Sequence, residues 1–366
     1  MVHVPRNKSD VKCIQEYFMK RVGLLTFHHV HNFGAVWQAW SVVSAVRALG
    51  HDITAINYQP VIGHDAPRRG WRKFIPSLGK LRMQGFVRRH IPVSGAPLYL
   101  PEAVDAHVYS TGYDALICGS DQVWRIFDHQ GIDRPYFLGV GSAPGLRRIS
   151  YAPSAGSRTS FGKFTDEAAE LLGRFQNISV RDANTAAALD EAGITGAVRV
   201  VDPTLIADFT PMLKGSPDRR DIVVVGRMDA AAERYIRFAA QKLGCKVRAI
   251  GTRCGAADVQ RPFASPVEWL NEIAHARLVV TSLFHGAAIS MALRTPFVAL
   301  DCGGRAFKLA DLCGFLDVPE RLLLRGEAAD YAQEETLLSM EYDTLDARLR
   351  AESERCRRFL GDAING

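Results

Sequence analysis

Strand and helix patterns alternate along this chain in two series, and this alternation restricts the fold more than any other feature. The first series begins with the apolar run 21–27 and the helical stretch 35–49. The second begins at the apolar run 221–226, directly after the stretch 208–221, which is rich in Pro, Gly and charged residues. Alternation of this kind predicts parallel sheets with helices on their faces.

The length of the chain, 366 residues, suits two such units better than one. We therefore expect an α/β fold in which two Rossmann-like domains face each other across a cleft. The first domain is predicted at residues 1–207 and the second at 208–344, and a C-terminal helix in 345–366 is expected to pack back toward the first domain. Since open α/β sheets bind ligands at the carboxyl ends of their strands, the functional site is expected in the cleft.

The composition is that of a globular protein without a membrane anchor. Hydrophobic residues make up 47% of the chain and charged residues 23%. No apolar run approaches the ~20 residues of a membrane span, and the first residues lack the apolar core of a secretory signal, so a cytoplasmic location is predicted. The seven cysteines are scattered without metal-ligand spacing, which favours reduced thiols and argues against a zinc site.

The net charge of +6 is concentrated in one segment, residues 61–100. This basic segment holds eight Lys and Arg against one acid, Asp65, so it carries +7 (8 − 1), and apolar residues such as Trp71 and Leu81 are interleaved. One interpretation is a solvated helical insertion with an apolar underside. The other is an amphipathic surface that contacts anionic lipid at the inner face of the plasma membrane, or an anionic acceptor. Nucleic acid is not expected, because no recognised nucleic-acid motif accompanies the segment.

Polar side chains follow several predicted strands of the first domain. Asn32 stands where the first helix starts, after three histidines in HHVHN, and it is suited to capping that helix. A metal site on those histidines is not expected, since side chains that are neighbours in sequence point in different directions. In GSDQVW, Ser120 or Asp121 could cap a helix, or Asp121 could supply a carboxylate to the cleft.

Two further strand-to-helix junctions carry groups suited to anions and proton transfer. Arg181 comes directly before a predicted helix whose free N–H groups, together with the guanidinium, could hold a phosphate or carboxylate. The alternative is an ion pair, either with Asp182 or between the two domains. In the second domain, His285 and Gly286 open a helix close to Ser282. A lone histidine is more often structural, but at such a junction it can act as an acid, a base or an anion donor.

Taken together in their order, these segments resemble the polysaccharide pyruvyl transferase family. The resemblance runs through most of the chain: HNFGAVWQAW, GSDQVW, ISVRD, VVDPTLIAD, SLFHG and GRAFKLADLCGFL follow one another as in the family. GSDQVW and SLFHG are the most specific strings. Phe33 replaces the usual Tyr, and the stretch 281–283 lacks an arginine that some members supply there, which places more of the anion binding on Arg181.

The resemblance implies a two-domain fold like that of GT-B glycosyltransferases, with phosphoenolpyruvate as the donor. The family makes cyclic pyruvate ketals on two hydroxyls of a sugar in a cell-surface polysaccharide or its precursor and releases phosphate. Within this chemistry we assign His285 as proton donor or phosphate partner, Arg181 as anion clamp and Asp121 as candidate base. No metal or cofactor is expected. The residues expected to bind substrate are Asn32, Ser120, Ser154, Ser282, Gly286 and Arg305.

Two other functions stay open on the sequence. One is a nucleotide-sugar glycosyltransferase of polysaccharide synthesis with the same GT-B-like architecture. The other is a non-catalytic family member that binds saccharide, against which the presence of Asp121, Arg181 and His285 argues. Whether the sugar acceptor is lipid-linked, nucleotide-linked or polymeric is also left open.

Overall fold

The computed structural model describes residues 19–60, 78–302, 306–324 and 338–366. Its first sheet has four parallel strands in the order β2-β1-β3-β4, and a short parallel pair, β5-β6, lies beside β4. The strands are β1 (Arg21–Leu25), β2 (Asp52–Ala55), β3 (Ala115–Cys118), β4 (Arg147–Ser150), β5 (Ser179–Val180) and β6 (Val198–Arg199). The accompanying helices are α1 (Phe33–Ala48), α2 (Leu78–His90), α3 (Pro101–Thr111), α4 (Thr165–Leu172) and α5 (Ala183–Glu191).

The second sheet has six parallel strands in the order β12-β11-β10-β7-β8-β9. These strands are β7 (Ile222–Val225), β8 (Val247–Ile250), β9 (Val259–Arg261), β10 (Leu278–Thr281), β11 (Phe297–Leu300) and β12 (Leu322–Leu323). Its helices are α6 (Ala230–Leu243), α7 (Pro266–Ala274), α8 (Phe284–Ala292) and α9 (Ala306–Phe315), and α10 (Asp343–Asn365) follows. The expected boundary at 207–208 falls between β6 and β7. Strands β7 and β10 are buried along their whole length, which explains their continuous apolar runs.

Helix α1 joins the two halves. It lies on its own sheet and also packs against α7 and α8 of the second half, so it is buried on nearly all sides, Trp37 and Trp40 included. At its start, the ring of Phe33 stacks on Trp269 with the ring centroids 5.3 Å apart. Gly251 makes room for that ring, because a β-carbon there would lie 3.0 Å from Cζ of Phe33 and closer to Cε2. One apolar core therefore crosses the boundary between the sheets.

Helix α10 lies against the first half of the chain. Arg147 on β4 donates from Nε to the carbonyl of Ala363 over 2.8 Å, and Arg355 donates to the carbonyl of Arg199 over 2.6 Å. Leu360 and Ile364 are fully buried in the shared apolar core. The last helix thus returns across the second half to contact strands of the first.

The basic segment is described from residue 78 onward, and 61–77 lie outside the described residues. Its described part forms α2, which buries Met83 and Phe86 and exposes Leu78 and Leu81. Within the described ranges, no helix is long and apolar enough to span a bilayer.

Candidate functional site

The carboxyl end of β10 meets the first turn of α1. His285, in the first turn of α8, is nine-tenths buried and lies against Gly34. A β-carbon added to Gly34 would lie 2.5 Å from Cγ of His285 and closer still to Nδ1, so only glycine leaves space for the imidazole. Asn32 caps α1, and its Oδ1 accepts from the N–H groups of Gly34 (2.8 Å) and Ala35 (3.3 Å).

Arg181 lies in the same place, at the carboxyl end of β5. Its Nη1 donates to Oδ2 of Asp202 over 2.9 Å, and its Nη2 is 3.9 Å from Oδ1 of Asp121. The guanidinium carbon lies 4.4 Å from the centroid of the Phe284 ring, next to His285. Burial by itself lowers the pKa of Arg181, but Asp202 and Asp121 outweigh burial and raise it. The site therefore holds a permanent cation.

The anion site expected at the start of α5 is largely occupied. Asp182 caps this helix by accepting from the N–H of Thr185 over 3.0 Å. The N–H of Ala183 is donated to Asp311 over 3.2 Å, so the expectation of free N–H groups beside Arg181 is wrong for these two. By contrast, the described side chains give α8 no cap at Leu283, and its first-turn N–H groups remain suited to an anion.

Asp202 links Arg181 to His285. Its Oδ2 accepts from Arg181 and lies 3.4 Å from Nε2 of His285, a contact that lacks the alignment of a good hydrogen bond and is an ion pair only when the imidazole is protonated. Its Oδ1 accepts from the N–H (3.0 Å) and the Oγ1 (2.7 Å) of Thr204. Burial opposes ionisation of this carboxyl, but His285 and Arg181 outweigh burial and hold its pKa well below the usual range. Sequence reasoning missed Asp202, since Asp before Pro is an ordinary turn signal.

The polar break after β3 forms the floor of this cluster. Ser120 is fully buried, its Oγ donates to the carbonyl of Ala152 over 2.9 Å, and it lies 3.3 Å from Oδ2 of Asp202. Asp121 has a φ of 76° and a side chain that is 16% exposed. The carboxylate of Asp121 therefore reaches the surface of the cluster, whereas the hydroxyl of Ser120 is buried next to Asp202.

Lys308 on α9 is a further cation of the site that sequence reasoning missed. Burial and the charge of Arg181 lower its pKa to about 8, while Asp121 acts in the opposite direction. The Lys308 ammonium thus interacts electrostatically with the Arg181 guanidinium and with the Asp121 carboxylate. Arg305, predicted to bind substrate, lies outside the described residues.

The other predicted binding residues have these positions. Ser154 is buried and its Oγ accepts from the N–H of Gly156 over 3.0 Å, and Oγ of Ser282 donates to the carbonyl of Arg227 over 2.8 Å. At Gly286 a β-carbon would lie 2.9 Å from Cβ of Thr281 and closer to Oγ1. A contact of Asn32, Ser120, Ser154, Ser282 or Gly286 with substrate stays a prediction.

The three N-terminal histidines do not form a metal site in the described part of the chain, where no group of three or more His, Cys, Asp and Glu side chains is arranged to hold an ion. His28 is buried, with Nδ1 3.1 Å from the carbonyl of Thr26 and Nε2 3.4 Å from Oδ1 of Asn57. Burial lowers its pKa, so it is a neutral core residue at neutral pH.

A groove of about 810 Å³ lies at the opposite, amino-terminal end of the second sheet. Its charges largely satisfy one another: Nη2 of Arg248 and Nη1 of Arg261 lie 2.8 and 3.2 Å from Oε1 of Glu272. Volume alone would favour this groove as the functional site. The cluster around His285 is the better candidate, because it combines an acid–base group, two cations and an uncapped helix.

Comparison with known proteins is informative at the level of family and fold. The model of the family described as polysaccharide pyruvyl transferase matches residues 32–304. A search of curated protein sequences finds no significant match. One similar solved structure is that of a UDP-glucosyltransferase from Polygonum tinctorium in complex with 3,4-dichloroaniline, which is 10% identical in sequence. The match covers 95% of this chain and 99% of that chain, with a TM-score of 0.51. The glycosyltransferase SnogD from Streptomyces nogalater is 14% identical, with coverage of 93% and 95% and a TM-score of 0.42. The expected GT-B-like α/β fold is confirmed.

Proposed function

This chain belongs to the polysaccharide pyruvyl transferase family, and as a transferase of that family we propose that it uses phosphoenolpyruvate as donor. In this proposal the three carbons of the donor become a cyclic ketal on two hydroxyls of a sugar in a cell-surface polysaccharide or its precursor. The observation that supports the proposal best is that Arg181 and His285, from the two halves, both contact the buried carboxylate of Asp202.

The donor carries a phosphate and a carboxylate, so its site needs concentrated positive charge. Arg181 and Lys308 supply two cations, and the uncapped start of α8 adds N–H donors and the positive end of the helix dipole. Arg181 has already paired with Asp202, and its second nitrogen is only loosely held by Asp121 at 3.9 Å. That nitrogen is the one best placed to take an oxygen of the donor.

The reaction requires one proton donor and one acceptor. A proton is added at C3 of phosphoenolpyruvate, which becomes the methyl group, and C2 becomes electrophilic. The first sugar hydroxyl adds to C2, the C–O bond to phosphate breaks, and the second hydroxyl closes the ring. The two sugar hydroxyls together lose two protons. One of them makes up for the proton that was delivered to C3, and the other leaves with the phosphate. We assign proton delivery to His285 and proton removal to Asp121, whose carboxylate is the accessible one.

The function is tested by supplying phosphoenolpyruvate to the purified protein with the membrane and polysaccharide fractions of a host strain from which this gene is deleted. Phosphate release, and a mass gain of one pyruvate ketal in either fraction, are expected. The two fractions also distinguish lipid-linked from polymeric acceptors. Release of UDP from UDP-sugars without turnover of phosphoenolpyruvate would instead establish a nucleotide-sugar glycosyltransferase. Binding of saccharide without either reaction would establish a non-catalytic role.

Lys308 makes a pH-dependent contribution to donor binding in this proposal. Its pKa is about 8, so the cation is present below that pH and is lost as the pH rises through it. Affinity for phosphoenolpyruvate, measured by calorimetry on both sides of pH 8, should therefore fall with rising pH. Lys308→Met should weaken donor binding roughly 10- to 100-fold below pH 8, and the fall in affinity around pH 8 should disappear. Lys308→Arg should keep the affinity to higher pH.

The matched control for this prediction is Lys246→Met. Lys246 is an exposed lysine at the other end of the second sheet, and its replacement should leave the affinity and its pH dependence unchanged. An affinity that is equal in the wild type and Lys308→Met at every pH would remove Lys308 from the donor site.

The exposed face of α2 is proposed to contact anionic lipid at the inner face of the membrane. Arg88 and Arg89 are exposed there with Leu78 (51% exposed) and Leu81 (49%). Each arginine near such a surface contributes about 1 kcal/mol, so changing both to Ser should weaken binding to phosphatidylglycerol vesicles roughly 10-fold or more at low salt. Arg68 and Arg69, the other cations of this hypothesis, lie outside the described residues.

Vesicle co-sedimentation measures this binding, and the adjacent, exposed pair Arg357 and Arg358 on α10 supplies a control of equal charge. Changing that pair to Ser should affect binding little. Equal binding by both double variants, or no binding of the wild type at low salt, would reject membrane contact through α2.

A further inference from the structure

Asp202 is placed to orient the histidine without meeting substrate. Its side chain is 0% exposed, so no substrate atom can reach it. All its described contacts are internal: Arg181, Ser120 and His285 around Oδ2, and Thr204 at Oδ1. A buried carboxylate with this set of donors is held in one orientation, and Nε2 of His285 lies 3.4 Å from its Oδ2.

The other nitrogen of the same imidazole faces a different element. Nδ1 of His285 is the ring atom nearest to the point where a β-carbon of Gly34 would lie. It therefore faces the first turn of α1, which Asn32 caps and which contains no acidic residue in the described structure. An imidazole between a carboxylate and the amino-terminal end of a helix, where the helix dipole is positive, carries its fixed proton on the side of the carboxylate.

We infer that Asp202 is a positioning residue that holds His285 with Nε2–H toward its carboxylate, so that Nδ1 is the nitrogen that transfers the proton. The same carboxylate oxygen, Oδ2, accepts a hydrogen bond from Arg181. Asp202 thereby fixes the distance between the guanidinium of Arg181, which binds the donor, and the ring of His285, which transfers the proton. The catalytic meaning of this inference rests on the proposed function, but the orientation of the ring does not.

The alternative is that Asp202 only caps the turn at Thr204. Asp182 provides a direct comparison, because it makes the same pair of bonds to the N–H (3.0 Å) and Oγ1 (2.6 Å) of Thr185 and is also buried. No hydrogen bond or ion pair joins Asp182 to His285 in the described part of the chain. If Asp202 only caps its turn, the same substitution at Asp202 and at Asp182 should therefore have similar effects on His285 and on turnover.

The first test uses the wild-type protein with ¹⁵N-labelled histidine and long-range ¹H–¹⁵N correlation spectra. Signals that vanish in His285→Gln identify the ring. We expect neutral His285 to carry its proton on Nε2, and we expect phosphoenolpyruvate to shift the Nδ1 signal more than the Nε2 signal. A neutral ring protonated on Nδ1 would overturn the inference. This result does not depend on turnover, so it stands or falls separately from the proposed function.

The second test is Asp202→Asn, which can keep the cap through its amide oxygen but loses the charge. We expect the Nε2–H form to be depleted and turnover on the fractions of the deletion strain to fall roughly 10- to 100-fold, as for residues that orient a functional histidine. The KM for phosphoenolpyruvate should change much less. Asp182→Asn should leave the His285 signals in place.

Combining Asp202→Asn with His285→Gln distinguishes action through the histidine from a general effect. If Asp202 acts through His285, the double variant should be no slower than His285→Gln alone. Unchanged spectra and turnover in Asp202→Asn would overturn the inference, and so would a full additional loss in the double variant. If Asp202→Asn does not fold, the wild-type spectra still decide the question.

Discussion

Replacing His285 by alanine is expected to lower turnover by roughly 10²- to 10⁴-fold, the loss typical of a missing acid–base group. The effect should appear in kcat, because the proposed donor-binding cations, Arg181 and Lys308, are unchanged in this variant. The variant should fold, since the side chain lies between the first turns of α8 and α1 and its Nε2 makes no hydrogen bond to a described residue. Stopped-flow phosphate release with the fractions of the deletion strain measures the change, and calorimetry measures the affinity for phosphoenolpyruvate separately.

His285→Gln decides which role the histidine has. Glutamine keeps a hydrogen-bond donor but has no transferable proton. If His285 delivers the proton to C3, the variant should bind the donor normally and lose turnover. If His285 only contacts the phosphate, the glutamine variant should retain both donor binding and turnover. Turnover near that of the wild type in both the alanine and the glutamine variant would mean that the reaction takes place elsewhere.

Most strands of the two sheets could be predicted, and the central ones most clearly, because those are buried along their whole length, whereas no such apolar run marks the largely exposed edge strand β9. A strand such as Ile222–Val225 then appears as a continuous apolar run. The sequence also predicted that the strand-to-helix junctions at the carboxyl ends of the strands would come together. The structure does bring Asp121, Arg181 and His285 into one cluster. Their catalytic roles stay predictions.

What the sequence could not show is which partners each junction finds across the chain. Asp202 stands in an ordinary turn signal, and it matters only because β6 ends beside Arg181 and beneath α8. The start of α5 is occupied by Asp311, which is 128 residues away. Lys308 joins the cluster because α9 packs beside α8. Each of these contacts depends on packing between elements far apart in sequence, for which a local pattern carries no signal.

Replacing Gly34 by alanine is expected to lower turnover roughly 100-fold while the protein remains folded. Alanine is the better helix former by about 1 kcal/mol, so helix propensity favours the change. The new β-carbon would nevertheless lie 2.5 Å from Cγ of His285 and closer to Nδ1. Among the nearest atoms only the imidazole is in conflict, so the ring, and not the backbone, is expected to move. A displacement of about 1 Å at a reacting group costs about 100-fold in rate.

Gly85→Ala is the matched control, because Gly85 lies within helix α2 and its β-carbon would have open space around it. That variant should keep full turnover and the same or a slightly higher melting temperature. If Gly34→Ala acts by moving the ring, it should cost nothing further in a His285→Ala background, where the obstructing side chain is gone. A Gly34→Ala protein with full turnover, or one whose loss persists undiminished without the histidine, would show that the contact between α1 and α8 does not position His285. Measuring the donor affinity as well separates a loss of turnover from a loss of donor binding. A displaced imidazole should lower kcat but leave the cations of Arg181 and Lys308 in place, so the affinity should stay the same.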